Sequence, residues 1–145
     1  MSNLNSHITN IQVVSFYYWE FKNLLSQDLF NSDKSIKRFL NWEVINPKFS
    51  FWYNYVGCED EIKNYLLKSP LAKKERIIMT IAADKPIISM KTSYFIENWY
   101  DFISMANHLC IVWSDDKECI MEFNYYEDRL FSNFGIKTGS RIYND

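Results

Sequence analysis

Three places in this 145-residue chain carry side chains suited to chemistry: Cys58, His108 and the acidic run Asp115-Asp116-Lys117-Glu118. Cys58 follows Gly57 and opens a predicted helix, a position where the helix dipole lowers a thiol pKa. Glu59, Asp60 and Glu61 follow at once, and their charges favour the neutral thiol. A base such as His108 would have to arrive from elsewhere in the fold. A small thiol enzyme using Cys58 is therefore the catalytic alternative, and nothing local completes it. The acidic run lies within "IVWSDDKECIMEF", Ile111 to Phe123, where two apolar stretches flank the charges. It could be a catalytic or metal site, a patch that grips a partner, or the solvated turn of a hairpin. A general acid needs a desolvated or coupled carboxylate, and a turn tip supplies neither. Charge without chemistry is the reading that remains.

Metal and cofactor motifs are missing from the chain. His7 and His108 are the only histidines, and Cys58, Cys110 and Cys119 are spaced by 52 and 9 residues. That odd set gives neither a disulfide framework nor a zinc pattern, so buried, reduced thiols are expected. There is no Gly-rich phosphate loop, no Ser-x-x-Lys and no His-x-x-x-His. No catalytic residue, metal or cofactor is assigned.

The elements that must position these groups follow from periodicity. Val14, Tyr17, Tyr18, Phe21, Leu24 and Leu25 recur at helical spacing and predict a helix over about residues 10–30. "NSD" predicts the N-cap of a shorter helix carrying Ile36, Phe39 and Leu40. "KFSFWYNYV", residues 48–56, alternates as a strand. "CEDEIKNYLLKSP" reads as a helix with acids in its first turn, Lys68 in its last and Pro70 just beyond. "RIIMTIAA" and "IISMK" read as strands joined by a turn at Asp84-Lys85-Pro86. Thr92 or Ser93 caps a helix with Phe95, Trp99, Phe102, Ile103 and Ala106 facing inward. Residues 109–136 read as a three-stranded meander. The sum is a single α+β domain over residues 1–145, a mainly antiparallel sheet covered by helices.

A hairpin turning at Asp116-Lys117 pairs Ser114 with Cys119 and Val112 with Met121. One face then gathers Cys110, Val112, Cys119, Met121 and Phe123 as core. The other gathers Ile111, Trp113, Ile120 and Glu122, which either lie under a second layer or form an exposed patch with an acidic rim. The second loop of the meander, Tyr125-Tyr126-Glu127-Asp128, falls at the opposite end of the sheet and adds acid and aromatic surface.

Composition narrows the class of partner. Apolar residues make up 48% and aromatics 18%, which excludes a disordered chain. No apolar run approaches the ~20 residues that span a bilayer. The start, "MSNLNSHITN", lacks the basic and apolar regions of a signal peptide, so a cytoplasmic protein is expected. The net charge of −2 divides unevenly, +3 over residues 1–93 and −5 over 94–145. An acidic C-terminal third repels phosphates and suits a basic protein instead. The aromatics of 48–56 could stack on bases, but the basic groove that such binders need is missing.

The run "NWYDFISMANHLCIVWSDDKECIMEFNYYEDRLFSNFGIK", with "ERIIMTIAADKP" upstream, resembles small bacterial immunity proteins of contact-dependent growth inhibition and other polymorphic-toxin systems. The likeness is one of character over about the last 70 residues: compact, aromatic-rich, acidic α+β chains without catalytic motifs. It implies a non-catalytic binding protein that neutralises a cognate toxin domain by occluding a basic active site. Asp115, Asp116, Glu118, Glu127 and Asp128 would then supply charge, with Trp113, Tyr125 and Tyr126 as anchors. Another interaction or adaptor protein is the alternative.

Overall fold

Alternation of apolar residues in the C-terminal third builds the centre of the sheet. The computed structural model describes residues 4–52, 57–135 and 142–143. Strands β5 (Leu109–Ser114), β6 (Ile120–Asn124) and β7 (Arg129–Ser132) form the expected meander. Val112 pairs with Met121, Trp113 with Ile120, and the Ser114 N–H donates to the Cys119 carbonyl at 2.9 Å. This is the register that the turn at Asp116-Lys117 demands.

The remaining strands extend the meander on both sides. They are β1 (Ile11–Ser15), β2 (Phe49–Trp52), β3 (Arg76–Met79), β4 (Ile87–Lys91) and β8 (Ile142–Tyr143). Among the described residues the order is β1-β4-β3-β5-β6-β7-β2-β8, with every neighbour antiparallel. Of the strand expected over 48–56, Tyr53 to Val56 lie outside the described residues. Helix α2 (Cys58–Lys68) begins where Gly57 takes a left-handed φ of 88°. Together with α3 (Thr92–Glu97) and α4 (Trp99–Met105) it covers one face of the sheet. That core contains Cys110, Val112, Cys119, Met121 and Phe123, the face assigned to it by alternation. A seam is fixed where the Tyr65 hydroxyl meets the Ser132 hydroxyl at 2.7 Å and donates to the Phe134 carbonyl at 2.6 Å.

Two expected helices do not form. The helix over about 10–30 is replaced by β1, a single α-helical turn, α1 (Phe21–Leu24), and 3-10 turns on either side at Tyr18–Glu20 and Gln27–Leu29. Ile11, Val13 and Val14 are β-branched, and β4, buried on both faces, needs a neighbour for its outer backbone groups. The Ser15 hydroxyl accepts from the Tyr17 N–H at 3.1 Å and turns the chain out of the sheet. The shorter helix around Ile36–Leu40 is an irregular segment stitched by side chains. The Asn31 amide donates to the carbonyls of Asp33, Ile36 and Arg38, and the Phe39 and Leu40 N–H groups donate to the Glu122 carboxylate. A hydrogen bond to a charged group is worth ~1.5–3 kcal/mol, whereas helix propensities differ by only tenths per residue. The long-range bonds win.

This segment is the second layer over Ile111, Trp113 and Ile120. Phe21, Leu25, Leu40, Trp42 and Ile45 pack there against Phe131. Trp113 is 0% exposed, which corrects its assignment as a partner anchor: its indole is core. Glu122, on the same face, is equally buried. Its Oε1 accepts from the Leu40 N–H at 2.9 Å and the Trp42 indole at 3.1 Å. Its Oε2 accepts from the Phe39 N–H and the Asn124 amide, both at 3.0 Å. Burial pushes this carboxyl above its ordinary range, and the four donors pull against that shift.

Candidate functional site

The two acidic loops lie at opposite ends of the sheet, and the structure treats their charges alike. At the hairpin tip, the Lys74 ammonium donates to Asp116 at 2.8 Å and also to Glu118. The Ser114 hydroxyl and the Glu118 N–H donate to the same Asp116 carboxylate. With Lys74 as the leading cause, Asp116 is held well below the usual carboxylate range, and Lys74 is raised in turn. The tip is the exposed turn expected, Asp115 to Glu118 all open to solvent, and these hydrogen bonds tie it. At the other end, the Arg38 guanidinium grips Glu127 with two bonds of 2.6 and 2.8 Å, and this lowers the Glu127 pKa. Asp128 adopts a left-handed φ of 52° in the turn that leads into β7. Two basic residues of the segment 1–93 therefore pair with three carboxylates of the C-terminal third.

Tyr125 and Tyr126 stand out from that balance, exposed at 57% and 58%. With Tyr18, Phe39 and His108 they line a groove of about 570 Å³ whose floor includes Ala82, Ala83 and Asn107. Asn107 and His108 both have left-handed φ, 55° and 58°, and their N–H groups bond back to Ser104 and Ile103 as α4 ends. This turn leads the chain from the helical layer into β5. Burial lowers the His108 pKa. Cys58 does not line this groove, so the thiol and imidazole of the enzymatic alternative are not brought together there.

The groove continues along the helical layer. A cavity of about 810 Å³ shares Ile81 and Asn107 with it and adds Asp84, Lys85, Tyr100 and Asp101. A third, of about 250 Å³, shares Tyr100 and Asp101 and adds Glu59, Asp60, Lys63 and Glu97. The three cavities adjoin through these shared lining residues and together make a broken trough. Along its second and third parts, five carboxylates face two ammonium groups. Lys63 pairs with Glu97 at 2.7 Å, while Glu59 and Asp60 stand exposed at the start of α2. Exposed Tyr100 sits between the acidic part and the tyrosine groove, its ring edge-on to Trp99 and to His108.

The sequence reading placed Tyr125 and Tyr126 on this surface and missed Tyr100, Asp101, Glu97 and the role of Glu59 and Asp60. A signal for Tyr100 and Asp101 was present: on a helix with Trp99, Phe102 and Ile103 inward, both face outward. Among the described residues no cluster of His, Cys, Asp and Glu could hold a metal ion. Cys58, Cys110 and Cys119 are all free and buried, and burial raises the Cys110 and Cys119 thiols. No helix of the described residues is long and apolar enough to cross a membrane. No protein-family model matches the chain, and neither does any curated protein.

Proposed function

We propose that this protein is a non-catalytic binding protein whose partner is a basic protein, docked along the tyrosine-lined acidic trough. The observation that carries the reading is exposed Tyr100, which lines both acidic cavities and sets its ring against His108 of the aromatic groove. Tyrosines in concave sites are frequent binding anchors, and a negative rim steers a positive partner toward them. The resemblance to immunity proteins supplies the specific form of this reading, in which the partner is a toxin domain whose basic active site is occluded. The trough, more than the hairpin tip, offers carboxylates for that role, because Lys74 already engages both Asp116 and Glu118.

The reading expects a toxin C-terminal domain encoded directly upstream of this chain, and the test is co-expression with that domain. The reading expects restored growth and a co-purifying complex, and both lost when Tyr100 and Tyr126 are changed to Ala. Growth restored without a complex would favour an adaptor or an enzyme acting on the toxin's product.

A further inference from the structure

Residues 8–19, "ITNIQVVSFYYW", contain no Lys, Arg, Asp or Glu. Yet the segment is exposed: Phe16 at 77% and Trp19 at 62%, with Ile8, Val13, Val14 and Tyr17 also open to solvent. Half of the exposed large hydrophobic residues among those described come from these twelve positions. Tyr17 and Trp19 stack on each other at 5.4 Å and enlarge the patch. Contiguous apolar surface of this kind marks an interaction site.

The backbone adds a second feature. β1 ends the sheet, with one edge bonded to β4 and the other unpaired among the described residues. Edge strands are ordinarily guarded by charged side chains or proline, and β1 has neither. Its guard is a register shift between Val13 and Ser15, which leaves the regular stretch Ile11–Val13 open.

We propose that this free edge of β1 pairs antiparallel with β1 of a second copy of the chain. The charge pattern selects that occupant. Antiparallel self-pairing about a twofold axis near Val13 sets Val13 opposite itself and Gln12 opposite Val14 of the other copy, so a charge at the axis would face a like charge. A wholly uncharged strand removes that penalty, and a net charge of only −2 leaves little repulsion between copies. A strand edge is also self-complementary, since the N–H and C=O groups of one copy meet those of the other. With the axis near Val13, the Phe16, Tyr17 and Trp19 patches of both copies flank the new strand pair. Tyr18 of this segment also lines the tyrosine groove, but Val13 does not, so substitution at Val13 reads the strand pairing apart from partner binding.

Sedimentation of the full chain over a concentration series tests this. The parent should show a monomer–dimer equilibrium. Val13→Lys and Val13→Glu should each, by placing like charges across the axis, raise the dissociation constant by about tenfold or more. An equimolar mixture of the two variants should restore the dimer, a rescue that misfolding cannot mimic. A parent that stays monomeric throughout overturns the proposal, as does a dimer that both variants leave unchanged. Circular dichroism of each variant confirms that β1 substitution leaves the fold intact.

Discussion

Glu122 is an acceptor-only side chain when ionised, and four donors converge on its two oxygens from residues 39, 40, 42 and 124. An apolar substitute of similar length removes the acceptor and strands all four donors in the core. Glu122→Leu should therefore cost ~3 kcal/mol or more, since each buried donor left unsatisfied costs ~1–3 kcal/mol. The urea midpoint of the variant against the parent measures it, and a neutral result would mean that the N-terminal layer finds other acceptors. The thiols make the opposite case. Cys58, Cys110 and Cys119 are buried, and desolvation holds Cys110 and Cys119 in the neutral form that does not attack. A thiol reagent should label none of the three in the folded protein and all three in denaturant. Rapid native labelling of Cys58 would revive the enzymatic alternative.

Among the elements, the meander and its flanking strands were legible because alternation leaves one register that buries each face. α2 was legible from its acidic first turn and from Lys68 and Pro70 at its end. Residues 10–45 were not, since their apolar spacing fits a helix as well as it fits an irregular layer. What decides between the two is a set of hydrogen bonds from Phe39, Leu40 and Trp42 to an acid 80 to 83 residues away. No local pattern encodes such bonds, although one acid on the otherwise apolar face of Ile111, Trp113 and Ile120 was a hint. The trough was opaque for a similar reason, since its carboxylates come from three separated segments of chain.

The Arg38–Glu127 fork is a second tie between that layer and the sheet. Glu127 titrates below its ordinary value of 4.5, so the stabilisation is complete at neutral pH and disappears as pH falls through the lowered value. Glu127→Gln should cost ~0.5–1 kcal/mol at pH 7, discounted for its partial exposure, and nothing at pH 2. Denaturant midpoints of both proteins at the two pH values read the difference. At the far side of the sheet, Gly135 lies against the Phe49 ring, which a Cβ would strike. Gly135→Ala should destabilise by ~1–3 kcal/mol, because the ring that borders β2 must move. A thermal melt reports the loss.

For the whole molecule, folding sets part of the basic segment against the acidic one. Lys74 and Arg38, from residues 1–93, pair with Asp116, Glu118 and Glu127 of residues 94–145. The unbalanced carboxylates gather instead along the trough beside Tyr100. Two triple variants separate these surfaces. Glu59→Gln, Asp60→Asn and Asp101→Asn remove charge from the trough, while Asp115→Lys, Asp116→Lys and Glu118→Lys reverse the hairpin tip. The deciding measurement is the association rate of each variant with the proposed basic partner domain, taken at several ionic strengths. The account predicts that the trough variant associates more slowly, most visibly at low salt, where the Debye length is ~30 Å at 0.01 M against ~10 Å at 0.1 M. The tip variant should match the parent far more closely. A tip variant that slows while the trough variant keeps the parental rate would contradict the account and return the contact to the hairpin.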